Sequence, residues 1–240
     1  MNAVPPIPVL PVGAGTSDPV ILDVGIMAYR TAWDYQLAVH ADVQSGRYPE
    51  GALILLEHPP VITIGRHPGA AAHLLADAGR LAAGGVEVVE TDRGGDITFH
   101  GPGQLVVYPI IPLNRYNLRL HDYIRLLERV VVKTLHEFSI TGHCQAGATG
   151  VWVNSRQLTN GETAKICALG IKLRRWISLH GIALNVTTDL SYFSLINPCG
   201  LGRPVTSMAL EMDTPPDIAD VKLQFTRAFN RELRLLIKPR

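Results

Sequence analysis

The sequence predicts an α+β fold, with a mixed, mainly antiparallel sheet flanked by helices. Three observations point there. Strand-like apolar runs come in series, and the helical patterns are few, long and placed between those series. A doubly wound parallel sheet would need a helix after nearly every strand, which the pattern does not supply. A content of 47% apolar and 18% charged residues over 240 positions is enough to bury one large core.

The elements follow in order. Residues 1–19 are rich in proline, with no positive start and no unbroken apolar stretch, so they read as a loose tail and not a secretory signal. Residues 20–240 read as one domain. Met27 to Gln44 carries Tyr29, Trp33 and Leu37 four apart, an amphipathic helix. Ala52 to Glu57 and Val61 to Gly65 are two strands around the turn His58-Pro59-Pro60. Val86 to Glu90, Asp96 to His100 and Leu105 to Ile111 extend the strand series. His121 to Phe138 is the strongest helix, with Ile124, Leu127, Val131, Leu135 and Phe138 at helical spacing. Strands return at Val151 to Val153, Lys165 to Lys172 and Ile177 to Val186, the first two separated by a loop with an Asn160-Gly161 turn. Asp217 to Leu233 closes the chain as a helix with Ile218, Val221, Phe225 and Phe229 on one side.

Composition excludes several classes. A net charge of +1 gives no reason to expect nucleic acid or an anionic membrane as partner. The local basic groups, Arg115/Arg119 and Lys172/Arg174/Arg175, read equally well as solvated faces. Cys144, Cys167 and Cys199 form no disulfide framework and no CxxC pair, so neither zinc nor any other metal is expected. Prolines 102, 109 and 112 interrupt the long uncharged stretch, against a membrane span. A cytosolic protein is the expectation.

Four segments carry candidate chemistry. Cys199 lies in Asn197-Pro198-Cys199-Gly200, where a stiff proline and a free glycine suggest a turn that presents the thiol. Arg93 to Gln104 surrounds a short strand with glycines that allow close approach of backbone N–H groups; a hairpin with glycine corners accounts for it as well. It is neither a P-loop nor a dinucleotide fingerprint. Lys165 sits in the apolar run Ala164 to Ile171, where alternation would turn Lys165, Cys167 and Leu169 to one side. His180, in Leu179 to Asn185, reads as a base or as a hydrogen-bonded structural histidine, with Gly181 again allowing close approach.

The joint order of these motifs resembles one family. The runs RGGDITFHGPGQLVVYPI (Arg93 to Ile110), TGVWV (Thr149 to Val153), AKICALGIKL (Ala164 to Leu173), and SLHGIALNV with NPCG look like the lipoyl(octanoyl) transferases, over roughly Leu53 to Ser207. That resemblance implies a catalytic module similar to biotin protein ligases and lipoate ligases. It implies transfer of an octanoyl group from acyl carrier protein to a lysine of lipoyl domains, of 2-oxoacid dehydrogenases or the glycine cleavage H protein. Cys199 would carry the acyl group as a thioester, and Lys165 would lower the thiol's pKa and exchange protons. Arg93, Gly94, Gly95, Asp96, Ile97, Thr98, Phe99 and His100 would line the substrate pocket. Ala168, Leu169 and Gly170 would join them, as would Gly181, Ile182 and Ala183. No cofactor and a monomeric state are expected. An ATP-dependent lipoate or biotin ligase is the alternative; it activates a free acid and requires no thiol. One departure is Cys167, where a small residue is the commoner occupant; if it lies near Cys199 with facing side chains, a reversible Cys167–Cys199 disulfide could switch the enzyme off.

Overall fold

The computed structural model describes residues 18–159, 162–197 and 203–236. Most of the N-terminal tail, the Asn160-Gly161 turn and Cys199 with its neighbours Pro198 and Gly200 lie outside the described residues. Strand β1 (Val20–Ile26) runs parallel to β2 (Ala52–Glu57), which pairs antiparallel with β6 (Gln104–Ile110). From β6 a seven-stranded sheet continues antiparallel through β10 (Ile177–Asn185), β9 (Thr163–Arg174), β8 (Ala148–Asn154) and β7 (Gly142–Gln145). In a second sheet of three strands, β3 (Val61–Ile64) lies between β4 (Glu87–Glu90), parallel, and β5 (Thr98–His100), antiparallel. The sheets are therefore mixed and mainly antiparallel.

Strands β2 and β3 are adjacent in sequence but belong to different sheets. His58 fixes the switch: its Nδ1 donates to Met27 O at 2.6 Å, while Pro59 and Pro60 have no N–H to extend a ladder. The period of two in β2 divides the core. Leu53 and Leu55 pack to one side, with helix α3 (Leu120–His136) and helix α5 (Ile218–Arg234). Ile54 and Leu56 pack to the other, under helix α1 (Tyr29–Ser45). Two short helices, α2 (Ala78–Ala83) and α4 (Met208–Glu211), complete the α-helices among the described residues.

In α3, Leu127, Val131 and Leu135 are fully buried, as their spacing requires. In α5, Val221, Phe225 and Phe229 are buried, and Asp217 caps the helix by accepting from Ala219 N at 2.8 Å. The α1 face differs from expectation. Steps of four drift around a helix of 3.6 residues per turn, and Leu37 ends 37% exposed. The buried stripe is Tyr29, Ala32, Gln36, Val39, His40 and Val43. Among the described residues no helix is long and apolar enough to cross a membrane.

One irregularity matters for the site. The β8–β9 register shifts, so that Val151 faces Cys167 while Trp152 faces Lys165. The consecutive residues Ile166 and Cys167 both pack into the α3–α5 core. Alternation therefore breaks between Lys165 and Cys167, and the two side chains do not share a face as simple strand parity predicts. Burial pushes the Cys167 thiol well up, and it behaves as a small core hydrophobe.

Candidate active site

Between the stretch 93–100 and strands β9 and β10 lies a cavity of about 230 Å³. That exceeds the roughly 150 Å³ that holds a benzene-sized ligand. One wall holds Arg93, Gly95, Asp96, Ile97, Thr98 and His100; the other holds Ala168, Leu169 and Gly170 of β9 with Gly181, Ile182 and Ala183 of β10. Lys165 lines it too. Gly94 and Phe99, grouped with these by sequence, do not line it. Phe99 is the middle residue of β5, so its ring points away from Thr98 and His100 and stacks on Tyr192 with centroids 4.7 Å apart. Gly94 serves the backbone, its N–H donating to Ile171 O at 3.1 Å.

The glycines work differently from the close ligand approach that sequence suggests. A Cβ on Gly170 would lie 2.8 Å from Gly94 O and 3.1 Å from Arg93 Cδ, so its absence lets the Arg93 stretch lie down on β9. A Cβ on Gly181 would meet Val107 O at 2.0 Å, on the neighbouring strand β6. Gly150, at φ 129, leaves room for the Lys165 stem, since its Cβ would lie 3.3 Å from Lys165 Cε. The fully buried Glu128 of α3 accepts from Gly150 N at 3.0 Å and pins that point from behind. In front, the half-buried Lys165 lays its Nζ 4.7 Å from the centre of the Trp152 ring.

The polar wall is closed by its own hydrogen bonds. Gln104 Nε2 donates to Phe99 O and Asn185 Oδ1, so its Oε1 accepts from His100 Nδ1 at 2.7 Å. His100 Nε2 then accepts from Thr63 Oγ1, which itself accepts from Arg93 Nε and Nη2. His58 holds its proton on Nδ1, facing the Met27 carbonyl, and its Nε2 accepts from the Tyr108 hydroxyl at 2.7 Å. Both imidazoles are bonded at both nitrogens and neither is placed to move a substrate proton. Tyr29, between His58 and His100, has its phenol pushed up to about 12 by burial. His180, at φ 57 and almost fully buried, donates from Nε2 to Asp92 Oδ1 at 2.7 Å. Partial burial raises the Asp92 carboxyl, but bonds from Lys172 and His180 outweigh it and hold the group low. His180 thus makes the hydrogen bond of the structural reading, while it also lines the cavity and its buried Nδ1 has no partner among the described residues; Lys172 is an ion-paired face.

These histidines make stability pH-dependent. Burial lowers His58 from 6.5 to about 4, and lowers His100 and His180 as well. Between those values the unfolded chain binds a proton that the native state refuses, so the stabilisation is complete above pH 6.5 and lost as pH falls toward 4. His58 alone is expected to remove about 2 kcal/mol between pH 6.5 and 5. Urea unfolding at the two pH values measures it; a midpoint that does not move refutes the assignment.

The segment leading to Cys199 is tied to this cavity on both sides. Asn197 N donates to His73 O at 2.8 Å, and the His73 ring bonds Asp96 of the cavity wall at 2.9 Å. On the far side, Lys165 N donates to Pro204 O at 2.9 Å and Thr206 N donates back to Lys165 O at 3.0 Å. Tyr29, Gln104, Tyr108, Trp152, Asn185 and Arg203 also line the cavity, and sequence reasoning assigned them no role. Gln104 and Tyr108 lay in the Arg93 to Ile110 run, Trp152 in TGVWV and Asn185 in SLHGIALNV, whereas Tyr29 and Arg203 lay outside the family motifs.

Residues 28–230 match the family model described as the lipoyl protein ligase A/B catalytic domain. An octanoyltransferase of Parabacteroides distasonis is 42% identical over 86% of this chain and 95% of its own length. That of Chloroflexus aurantiacus is 46% identical over 82% of this chain and 86% of its own. The chain belongs to the lipoyl(octanoyl) transferase family. Membership makes it an acyltransferase, and solved structures agree on the fold. A lipoate-protein ligase A bound with ATP superposes with a TM-score of 0.70 at 16% identity, covering 90% of this chain and 86% of that one. A bipartite lipoate protein ligase from Thermoplasma acidophilum gives 0.65 at 15% identity, over 90% and 84%. In this chain the Arg93 to His100 run supplies one wall of the cavity, and the Ala168 and Gly181 runs the other.

Proposed function

We propose that the protein moves an octanoyl group from the thioester of acyl carrier protein to a lysine of lipoyl-domain proteins, through a thioester on Cys199. Residues 20–240 form the catalytic unit, acting as a monomer in the cytosol. The observation that carries this reading is Lys165: its ammonium faces the cavity while its backbone N and O both hold the segment that follows Cys199. Asn197, two positions before the thiol, is hooked to the opposite rim at His73. What supports the reading is that both described flanks of the Cys199 segment, Asn197 and Pro204, are bonded to residues at the cavity.

An ordinary thiol of pKa near 8.5 is only a few per cent thiolate at pH 7. The Lys165 ammonium favours the thiolate, which attacks the donor carbonyl. The new C–S bond forms, the donor C–S bond breaks, and the departing thiolate takes a proton from Lys165. The neutral Lys165 then takes a proton from the acceptor amine as its nitrogen attacks the acyl-cysteine. An amide forms and the Cys199 thiolate is released. The octanoyl chain lies along the apolar residues of β9 and β10, at about 0.8 kcal/mol per buried CH₂.

Intact-mass measurement after incubation with octanoyl-acyl carrier protein tests this. One octanoyl group should be gained, lost in Cys199→Ala, and discharged by a lipoyl domain. Labelling that instead requires ATP and free octanoate would overturn the reading in favour of a ligase.

A further inference from the structure

Among the described residues four ionic side chains line the cavity: Arg93, Lys165 and Arg203 as cations, and Asp96 as a carboxylate. Asp96 is already engaged by His73. An octanoyl chain is neutral and calls for none of these charges. Lys165 has its chemistry, and Arg93 is braced on Thr63. Arg203 has no such employment. It is exposed at the rim, and among the described residues it forms no ion pair with a carboxylate.

It is nevertheless held in place. Its guanidinium carbon lies 5.1 Å from the centre of the same Trp152 ring that carries Lys165 Nζ at 4.7 Å. Its Nη1 donates to Gln145 Oε1 at 2.7 Å, and Gln145 Nε2 donates in turn to Thr163 Oγ1 at 2.8 Å. A long surface side chain is thereby ordered before any ligand arrives, which removes the entropic cost of ordering it on binding. Two like charges sharing one ring repel each other, and an anion beside Arg203 would offset that repulsion.

We propose that Arg203, seated on Trp152 and Gln145, binds the anionic part of the thioester donor, the phosphodiester of the arm that carries the acyl group. This rests on the octanoyl-transfer reading above. The planar guanidinium, with Nη1 on Gln145, keeps Nε–H and Nη2–H to offer two phosphate oxygens. Rim charge thus selects the donor by its arm, while the apolar slot selects it by its chain.

The test compares three donors: octanoyl-acyl carrier protein, octanoyl-phosphopantetheine and octanoyl-pantetheine, which lacks the phosphate. In the wild type, kcat/KM should favour the phosphorylated small donor over the unphosphorylated one. In Arg203→Gln that ratio should fall about tenfold, through KM, the size of one charge-assisted hydrogen bond. Arg203→Lys should restore part of it, and Gln145→Ala should lose part. A drop confined to the protein-borne donor would assign the anion to carboxylates of the carrier surface and overturn the phosphodiester assignment. An unchanged ratio in Arg203→Gln would overturn the site altogether. Failure of the wild type to accept an octanoyl group from any of the three would strike the transfer reading instead.

Discussion

Replacing Lys165 with methionine is expected to slow acylation at pH 7 by about a hundredfold or more, the usual contribution of a placed general acid–base group. Methionine keeps the stem that packs against Gly150, so the fold should survive and the melting temperature change little. The residual rate should climb steeply as pH rises through 8 to 9, because an unassisted thiol ionises near 8.5. Stopped-flow or quenched mass measurement of the first half-reaction across pH 6 to 9 gives the answer. A variant that acylates at the native rate at pH 7 would remove Lys165 from the chemistry and leave it a rim cation.

Gly181→Ala should be among the most damaging single methyl additions in the molecule. Its Cβ would lie 2.0 Å from Val107 O and 2.7 Å from Pro109 Cδ, in the middle of the seven-stranded sheet. Neither neighbour is a flexible tip that can swing aside. To relieve the clash β6 and β10 must part, and with them the walls of the cavity. A loss of about 3 kcal/mol or more is expected, a fall of roughly 10 °C in Tm for a chain of this size. Calorimetry that shows a shift of a degree or two would mean the strands separate more easily than their packing implies.

Much of this architecture can be read from the residues, and the exceptions have physical reasons. The α3 spacing is strictly helical and its buried face follows from it. Strand β1 escaped notice because Asp23 and Gly25 interrupt its apolar pattern, and β7 because Gly142 to Gln145 is a short edge with no apolar run. The bulge opposite Trp152 is invisible to a period-two reading, which must then put Cys167 on the wrong face. At Phe99 the same period was informative: between Thr98 and His100 it could only face away. The polar wall hides for another reason. His58, the β6 residues Gln104 and Tyr108, and Asn185 come from three separate stretches, and only the pairing of β2, β6 and β10 makes them one surface.

The double anchorage of the segment around Cys199 has a consequence for how variants of this protein are judged. His73 holds one end and Lys165 the other, each through main-chain bonds that no side-chain substitution between them removes. Both anchors are made by main-chain atoms of Asn197, Pro204 and Thr206, so neither depends on the side chain at position 199. If Cys199 carries the acyl group as proposed, Cys199→Ala is expected to abolish acyl transfer while both main-chain anchors and the thermal midpoint are kept. Screening by foldedness would pass such a variant as healthy, and only an assay that follows the acyl group would catch it.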